Sequence, residues 1–402
     1  MQSKDKPGSD SDILSDTART NEVISSQTVT AESVQSEQVQ MVSSDPQQTL
    51  SELQPKISVH SVAATDSIMQ PLPLVAQPSE NERRLGEWLS IWWEGIRPAY
   101  LLLSLLPVVL GSVAAWTQSI SPRTPHGNFH PIRFGITLAT VLLLQIGAHL
   151  VNDYYDYLKG IDTSNSLGSG GLIQQGLIEP VRVLSFGLIA LGLGALLGAF
   201  VAVSGGWLAF AFGLIGVLVA YFYSGVPKAL SSLALGELLF FLIFGPLLTL
   251  GSYMIQTGHL DRITYIYSIS LGLLAAAFIH LNDMRDTVSD TQAGKLTLAS
   301  LLGLRLSRIL YLVLVLGAYA PIVALGLPRH APHLLLIVLW TFPTLVIVLT
   351  TVLRTTSSAS LHKAMLQTLK LETLFTILLI VALVVTAVLP ILPYLPSIAL
   401  PF

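Results

Sequence analysis

The stretch that decides the fold is "RFGITLATVLLLQIGAHLV" (residues 133–151), which runs directly into "NDYYDYLKGID" (residues 152–162). The first part is long and apolar enough to cross a hydrocarbon core of roughly 30 Å as a helix. The second part places three aspartates where that helix would leave the membrane. Acidic residues at the end of a membrane span are costly, and they usually mark a functional site.

The composition extends this interpretation to most of the chain. Only 11% of the 402 residues are charged and 52% are hydrophobic, whereas about a quarter of the residues in a soluble protein are charged. The sequence therefore predicts an all-α, polytopic membrane bundle of nine transmembrane helices. The nine expected spans are 98–117, 133–152, 182–203, 206–224, 238–256, 263–281, 309–327, 333–352 and 373–393. The chain contains no cysteine, which excludes disulfides, thiolate catalysis and cysteine-ligated metals.

Three regions are expected along the chain. Residues 1–80 are rich in Ser, Gln and acidic residues and contain no aromatic residue, so they predict a disordered acidic polar tail. Residues 81–97 mix arginines with three tryptophans, a composition typical of an amphipathic segment at the membrane interface. Residues 98–395 are expected to form the transmembrane domain.

The distribution of Lys and Arg predicts the orientation. These residues concentrate before the first span and in the loops after spans two, four, six and eight. Basic residues accumulate on the cytoplasmic side of membrane proteins. We therefore expect a multi-pass protein of the plasma membrane whose N-terminus and acidic motifs face the cytoplasm.

A second acidic motif, "NDMRDTVSD" (residues 282–290), repeats the first at an offset of 130 residues. Residues four apart share one face of a helix, so each motif presents a row of Asn and Asp side chains. Gly160 is expected to end the first helix, so that Asp162 would reach the site from the following loop. The repeat indicates an internal duplication that brings two acidic clusters to one face of the membrane.

Carboxylates that converge from two helices repel one another unless a strong cation lies between them. Their oxygens are hard ligands, and the absence of thiolates favours Mg²⁺ over zinc. Proteins usually hold Mg²⁺ with one or two carboxylates together with substrate phosphates. The motifs therefore predict a phosphorylated ligand as well as the metal ion. The sequence assigns no role to Asp153 or Asp283.

Basic and aromatic residues on the same side supply candidate substrate contacts. Lys228, Arg285 and Lys295 are candidates to bind phosphate, and the ring faces of Tyr221 and Tyr223 are candidates to stabilise a cation. The alternatives stay open at this point. Lys228 would also fit an ordinary basic residue of a cytoplasmic loop, and the tyrosines would fit an interfacial belt.

Three further polar residues near the motifs have simpler interpretations. His149 and His280 precede the two motifs, and both are interpreted as helix-packing donors rather than as metal ligands. Glu237 is either an interfacial residue or a support for Lys228.

The paired motifs resemble the UbiA-type family of membrane prenyltransferases, over about residues 95–395. That family carries one Asn-Asp-x-x-Asp motif after the second of nine helices and another after the sixth. Within it, "NDYYDYLKGID", "GSGGLIQQGLIEP" (residues 168–180) and "GELLFFLIFGPLLTLGSYMIQTG" (residues 236–258) are most similar to the 1,4-dihydroxy-2-naphthoate polyprenyltransferases of menaquinone biosynthesis.

The resemblance implies a role for each matching residue. It implies that Lys228 contacts a diphosphate, that Tyr223 lies beside the allylic carbon, and that both act with Asp156 and Asp286 as catalytic residues. The implied ligands are Asn152, Asp156 and Asp162 for one Mg²⁺, and Asn282, Asp286 and Asp290 for the other.

The resemblance also implies a reaction, the transfer of a polyprenyl group from its diphosphate to 1,4-dihydroxy-2-naphthoate with decarboxylation, giving demethylmenaquinone. Rival acceptors are 4-hydroxybenzoate, homogentisate or a tetrapyrrole. A rival of another class is a divalent-cation transporter, although transport sites usually lie near the bilayer midplane. The expected partners are the two substrates and the lipid bilayer, with no nucleic acid.

Overall fold

The computed structural model describes residues 84–120, 129–160, 171–225, 229–329 and 332–390. The predicted tail, Asp162 and Lys228 lie outside these ranges. Within them the chain forms helices joined by short turns, with no β-strand. The helices are α1 (Leu85–Ile96), α2 (Leu102–Ser119), α3 (Pro131–Leu158), α4 (Pro180–Ala202), α5 (Gly206–Phe222), α6 (Gly236–Leu242), α7 (Leu248–Thr257), α8 (Arg262–Gln292), α9 (Leu298–Gly326), α10 (Phe342–Arg354) and α11 (Ser358–Val388).

Eight stretches of the described chain are long and apolar enough to cross a membrane, which confirms the predicted class of fold. One of them, Pro180–Phe222, is 43 residues long and contains both α4 and α5. A short 3₁₀ turn at Val203–Gly205 joins these two helices, and Gly206 adopts a φ of 80°. Both helices pack against α3 and against each other. The number of nine crossings stays a prediction.

Several helices extend beyond the spans expected from hydropathy. The helix α8 continues to Gln292, and α9 begins at Leu298, so residues 282–308, between the sixth and seventh expected spans, are mostly helical. The side chain of Thr297 accepts a hydrogen bond from the backbone N–H of Ser300 and caps α9. Hydropathy marks only the part of a helix that lies in lipid, whereas backbone hydrogen bonds continue through the polar end.

The helix α1 has two different sides. The ring of Trp92 packs against that of Phe186 at 4.6 Å between centroids, and Gly95 is buried. On the other side Leu89 and Trp93 are exposed. This amphipathic arrangement supports the predicted interfacial role, which stays a prediction.

The helix α8 lies in the middle of the bundle. In the most apolar 18-residue stretch of α8, 72% of the residues are buried, whereas the corresponding share in the other candidate spans is 56% or less. Pro246 lies in a π-helical segment, Ile243–Leu247, that links α6 to α7 and packs against α8. A side chain at Gly272 would meet the backbone oxygen of Phe241 at 2.6 Å. Small residues of this kind let membrane helices approach closely.

We expect Gly272→Ala to lower stability by about 1–3 kcal/mol, because the added methyl group meets a backbone atom that cannot rotate away. The matched control is Gly213→Ala in α5, where nothing lies within 4 Å of the added carbon. The control is expected to be neutral or slightly stabilising. Thermal unfolding of both variants in detergent tests this, and equal melting temperatures would contradict the close approach.

Candidate active site

One cavity of about 240 Å³ is lined by residues of both acidic motifs. Along α3 its lining runs from Val141 to Asp156, and along α8 it runs from Phe278 to Asp290. In both helices the apolar lining residues come first and the acidic ones follow. The cavity is therefore acidic at the end where the two motifs meet, and more apolar toward the start of each helix.

The first motif is held by hydrogen bonds at the end of α3. The side-chain nitrogen of Asn152 donates to Asp156 Oδ2 and to Ser224 Oγ, each at 2.8 Å. The helix ends at Leu158, and Gly160 follows with a φ of 67°. Asn152 and Asp156 both line the cavity, whereas the third predicted ligand, Asp162, lies outside the described residues.

The second motif lies wholly within α8, and Asn282, Asp286 and Asp290 all line the cavity. The guanidinium of Arg285 joins its members. Arg285 Nε donates to Asp286 Oδ1 at 2.7 Å, and Nη2 donates to Asn282 Oδ1 at 2.9 Å. Its Nη1 donates to His362 Nδ1 of α11 at 3.0 Å. Arg285 was predicted to bind phosphate, and the structure shows it bound to two of the predicted metal ligands.

Lys295 lies just beyond α8 and supplies a positive charge to the cavity. Its Nζ donates to Asp290 Oδ2 at 3.1 Å. Burial acts to lower the pKa of Lys295, but the neighbouring Asp283 and Asp290 carboxylates act against it, and the net result is a raised pKa. The ammonium group therefore stays protonated, as a contact to phosphate requires.

The two predicted tyrosines lie in different places. Tyr223 lines the cavity, with its ring 5.7 Å from that of Phe240. The hydroxyl of Tyr221 instead lies 3.3 Å from that of Tyr155. Tyr221 is not among the described residues that line the cavity.

Sequence reasoning missed an ion pair at the same end of the cavity. The guanidinium of Arg97 bonds the carboxylate of Asp153, and Arg97 lines the cavity. Arg97 adopts a φ of 57°, in the left-handed region, a backbone conformation that costs a non-glycine residue about 1–3 kcal/mol. The sequence offered two weak signals of this ion pair: Asp153 is the second residue of the first motif, and Arg97 directly precedes Pro98.

The histidine before the second motif is satisfied within the bundle. His280 is buried, and its Nδ1 lies 2.6 Å from Glu237 Oε1. Its Nε2 lies 3.0 Å from the backbone oxygen of Ser307. Glu237 therefore holds His280, a pairing that the sequence interpretation did not consider.

The donor chemistry of the cavity fits Mg²⁺. The predicted ligands are carboxylates and carboxamides, the hard oxygen donors that Mg²⁺ prefers. In the part of the chain that the structure describes, no group of three or more His, Asp or Glu side chains is arranged to hold a metal ion. Mg²⁺ usually completes its coordination with substrate phosphates and water, so a few carboxylates at this end of the cavity would suffice to hold it.

Fold and cavity together define an integral membrane protein with an amphipathic substrate cavity. The UbiA prenyltransferase family model matches residues 104–374. The chain belongs to this family, and it is a prenyltransferase.

The relatives of this chain include two bacterial proteins named 1,4-dihydroxy-2-naphthoate octaprenyltransferase. The one from Bacillus subtilis is 31% identical over 227 residues, covering 56% of this chain and 70% of that protein. The one from Haemophilus influenzae is 32% identical over 241 residues, covering 58% and 76%. A solved UbiA homolog from Archaeoglobus fulgidus, bound to GPP and Mg²⁺, is 15% identical with a TM-score of 0.49, covering 72% of this chain and 99% of that chain.

Proposed function

We propose that this protein transfers a polyprenyl group from polyprenyl diphosphate to 1,4-dihydroxy-2-naphthoate, releasing CO₂ and diphosphate and forming the quinol, the reduced form of demethylmenaquinone. The observation that carries the proposal is the meeting of two Asn/Asp motifs, from α3 and α8, at one end of a cavity whose other end is apolar. The names of the two bacterial relatives support the naphthoate as the acceptor.

The polar end of the cavity binds the diphosphate in this proposal. The residues that would hold two Mg²⁺ ions are Asn152, Asp156 and Asp162 on one side and Asn282, Asp286 and Asp290 on the other. When bound, Mg²⁺ acts as a Lewis acid that offsets the charge of the departing diphosphate. Lys295 adds a permanent positive charge from the second side, and Lys228 would add one from the loop after α5.

The apolar end of the cavity binds the start of the polyprenyl chain. Its lining includes Val219 of α5, Ile243 and Phe244 of the π-helical segment, and Leu248 of α7. The long hydrocarbon chain itself favours the bilayer, because each methylene group that leaves water contributes about 0.8 kcal/mol. This explains why a substrate with a long hydrocarbon chain is handled within a membrane.

The reaction in this proposal is an electrophilic alkylation of the acceptor ring. The allylic carbon–oxygen bond breaks, and its electron pair leaves with the diphosphate. The ring carbon that bears the carboxylate supplies the electrons of the new carbon–carbon bond, and loss of CO₂ from that carbon returns an electron pair to the ring and restores aromaticity. The ring face of Tyr223 stabilises positive charge on the allylic carbon. The buried cavity keeps water from the cation.

We also propose that the polar end opens to the cytoplasm and that the protein lies in the plasma membrane. The support is the accumulation of Lys and Arg on the side of the two motifs.

Prenylation of a panel of aromatic acids tests the proposed function. Membranes that contain the protein are incubated with farnesyl or longer diphosphates, Mg²⁺ and each acid in turn, and products are identified by mass spectrometry. We expect prenylated, decarboxylated product from 1,4-dihydroxy-2-naphthoate. If product formed only with 4-hydroxybenzoate, homogentisate or a tetrapyrrole, that compound would replace 1,4-dihydroxy-2-naphthoate as the proposed acceptor. No product from any acceptor would contradict prenyl transfer and would make divalent-cation flux the next measurement.

A further inference from the structure

The two helices that carry the acidic motifs differ one turn before the motifs. His149 of α3 lines the cavity three residues before Asn152. The position 130 residues later is Ile279 of α8, which also lines the cavity. The repeat therefore does not hold at this position. Next to the acidic end, the cavity has a histidine on its α3 side and an isoleucine on its α8 side.

The polar side continues beyond His149, and we call it the polar wall. The polar wall consists of Arg97, Tyr100, Ser104, Gln145 and His149, all of which line the cavity. Both ends of the Gln145 side chain are occupied there. Its nitrogen donates to the backbone oxygen of Tyr100 at 2.8 Å, and its oxygen accepts from the Ser104 hydroxyl.

One hydrogen bond determines which nitrogen of His149 carries the proton. His149 Nδ1 lies 3.1 Å from the backbone oxygen of Ile96. A carbonyl oxygen only accepts, so Nδ1 is the donor, and Nε2 of the neutral ring is an acceptor. A second proton would add a positive charge to a wall that already contains the Arg97 guanidinium. No described residue forms a hydrogen bond with Nε2, and His149 lines the cavity.

We propose that His149 Nε2 accepts a hydrogen bond from a ring hydroxyl of the aromatic acceptor and holds the ring against the polar wall. The inference rests on the proposed function, and it adds the acceptor's position and its required group. An acceptor in this place lies one helical turn from Asn152, beside the diphosphate end. The polyprenyl chain then occupies the apolar side of the cavity.

This contact makes the hydroxyl a requirement for the acceptor. A methyl ether lacks the proton, so it leaves Nε2 without a donor and places a methyl group against it. A site built to bind a hydroxyl rejects an analogue that leaves its buried polar atom unpaired. We expect about a 10- to 100-fold lower kcat/KM for the ether of the contacted hydroxyl.

The test compares 1,4-dihydroxy-2-naphthoate with its two monomethyl ethers in the wild-type protein and in variants of His149. In the wild type, one ether is expected to fall about 10- to 100-fold below the parent. In His149→Phe, the kcat/KM for the parent compound should fall to about that of the ether, so the protein no longer discriminates between them. The KM for polyprenyl diphosphate should be unchanged. His149→Gln, whose side-chain oxygen can take the place of Nε2, should recover part of it.

The matched control is His280→Phe, which removes a buried histidine whose two nitrogens are already bonded. It is expected to lower the melting temperature and to leave the ratio of parent to ether unchanged. Equal wild-type rates with the parent and both ethers would overturn the inference without any variant. So would a His149→Phe protein that keeps the wild-type ratio. Failure of the wild type to prenylate any aromatic acid would instead overturn the proposed function, and this inference with it.

Discussion

Asp156→Ala and Asp286→Ala are each expected to abolish prenyl transfer while the protein remains folded. The two carboxylates lie on different helices and line the same end of the cavity. Each would bind a metal ion worth several kcal/mol of charge stabilisation in the transition state. Since 1.36 kcal/mol changes a rate tenfold, we expect losses of roughly a thousandfold or more. The measurement is the rate of product formation in membranes at saturating Mg²⁺.

The control for these variants is Asp261→Asn. Asp261 caps the opposite end of α8 by accepting a hydrogen bond from the backbone N–H of Thr264 at 2.7 Å. Asparagine caps helices about as well as aspartate, so stability and turnover should stay near wild type. Melting temperatures of all three variants separate misfolding from loss of chemistry. Near-wild-type turnover in either alanine variant would be incompatible with the proposed diphosphate site.

Arg285→Lys is expected to raise the Mg²⁺ concentration for half-maximal activity by about 10- to 100-fold, the usual cost of losing a group that orients metal ligands. The arginine fork holds Asp286 and Asn282 at the same time. Lysine keeps the charge but cannot replace a planar, two-pronged donor. Activity should therefore recover at high Mg²⁺, which an Mg²⁺ titration of each protein measures.

A second arginine provides the control for this substitution. Arg182 forms an exposed ion pair with Glu179 at 3.2 Å, and exposed pairs contribute little, so Arg182→Lys should leave the Mg²⁺ dependence unchanged. If Arg285→Lys instead raised only the KM for polyprenyl diphosphate, Arg285 would bind phosphate directly, as its sequence position first indicated. That result would contradict the orienting role.

The helices and motifs could be predicted from the sequence because their signals are local. A run of apolar residues is enough to predict a membrane helix, and spacing of four residues is enough to place Asn282, Asp286 and Asp290 on one face. Where hydropathy failed, it failed at helix ends. The C-terminal end of α8 and the N-terminal end of α11 are polar but helical, since their hydrogen bonds and caps do not depend on lipid.

The partners of the charged residues could not be predicted in the same way. The sequence predicted that Arg285 binds phosphate, and it left Asp153 and Glu237 without a definite partner. In the structure these three residues bind Asp286, Arg97 and His280 respectively. Two of these pairs join residues 43 and 56 positions apart, and such pairs depend on which helix faces lie together.

The sequence by itself determined that this is a helical membrane protein with two acidic motifs, because the cost of placing polar groups in lipid leaves few alternatives. It also determined the family, through motifs whose residues are close together in the chain. Only the tertiary structure decided that the motifs share one cavity and that His149 and Ile279 make its two sides different. Those features depend on how α2, α3 and α8 pack, and packing is a property of the whole bundle rather than of any one segment.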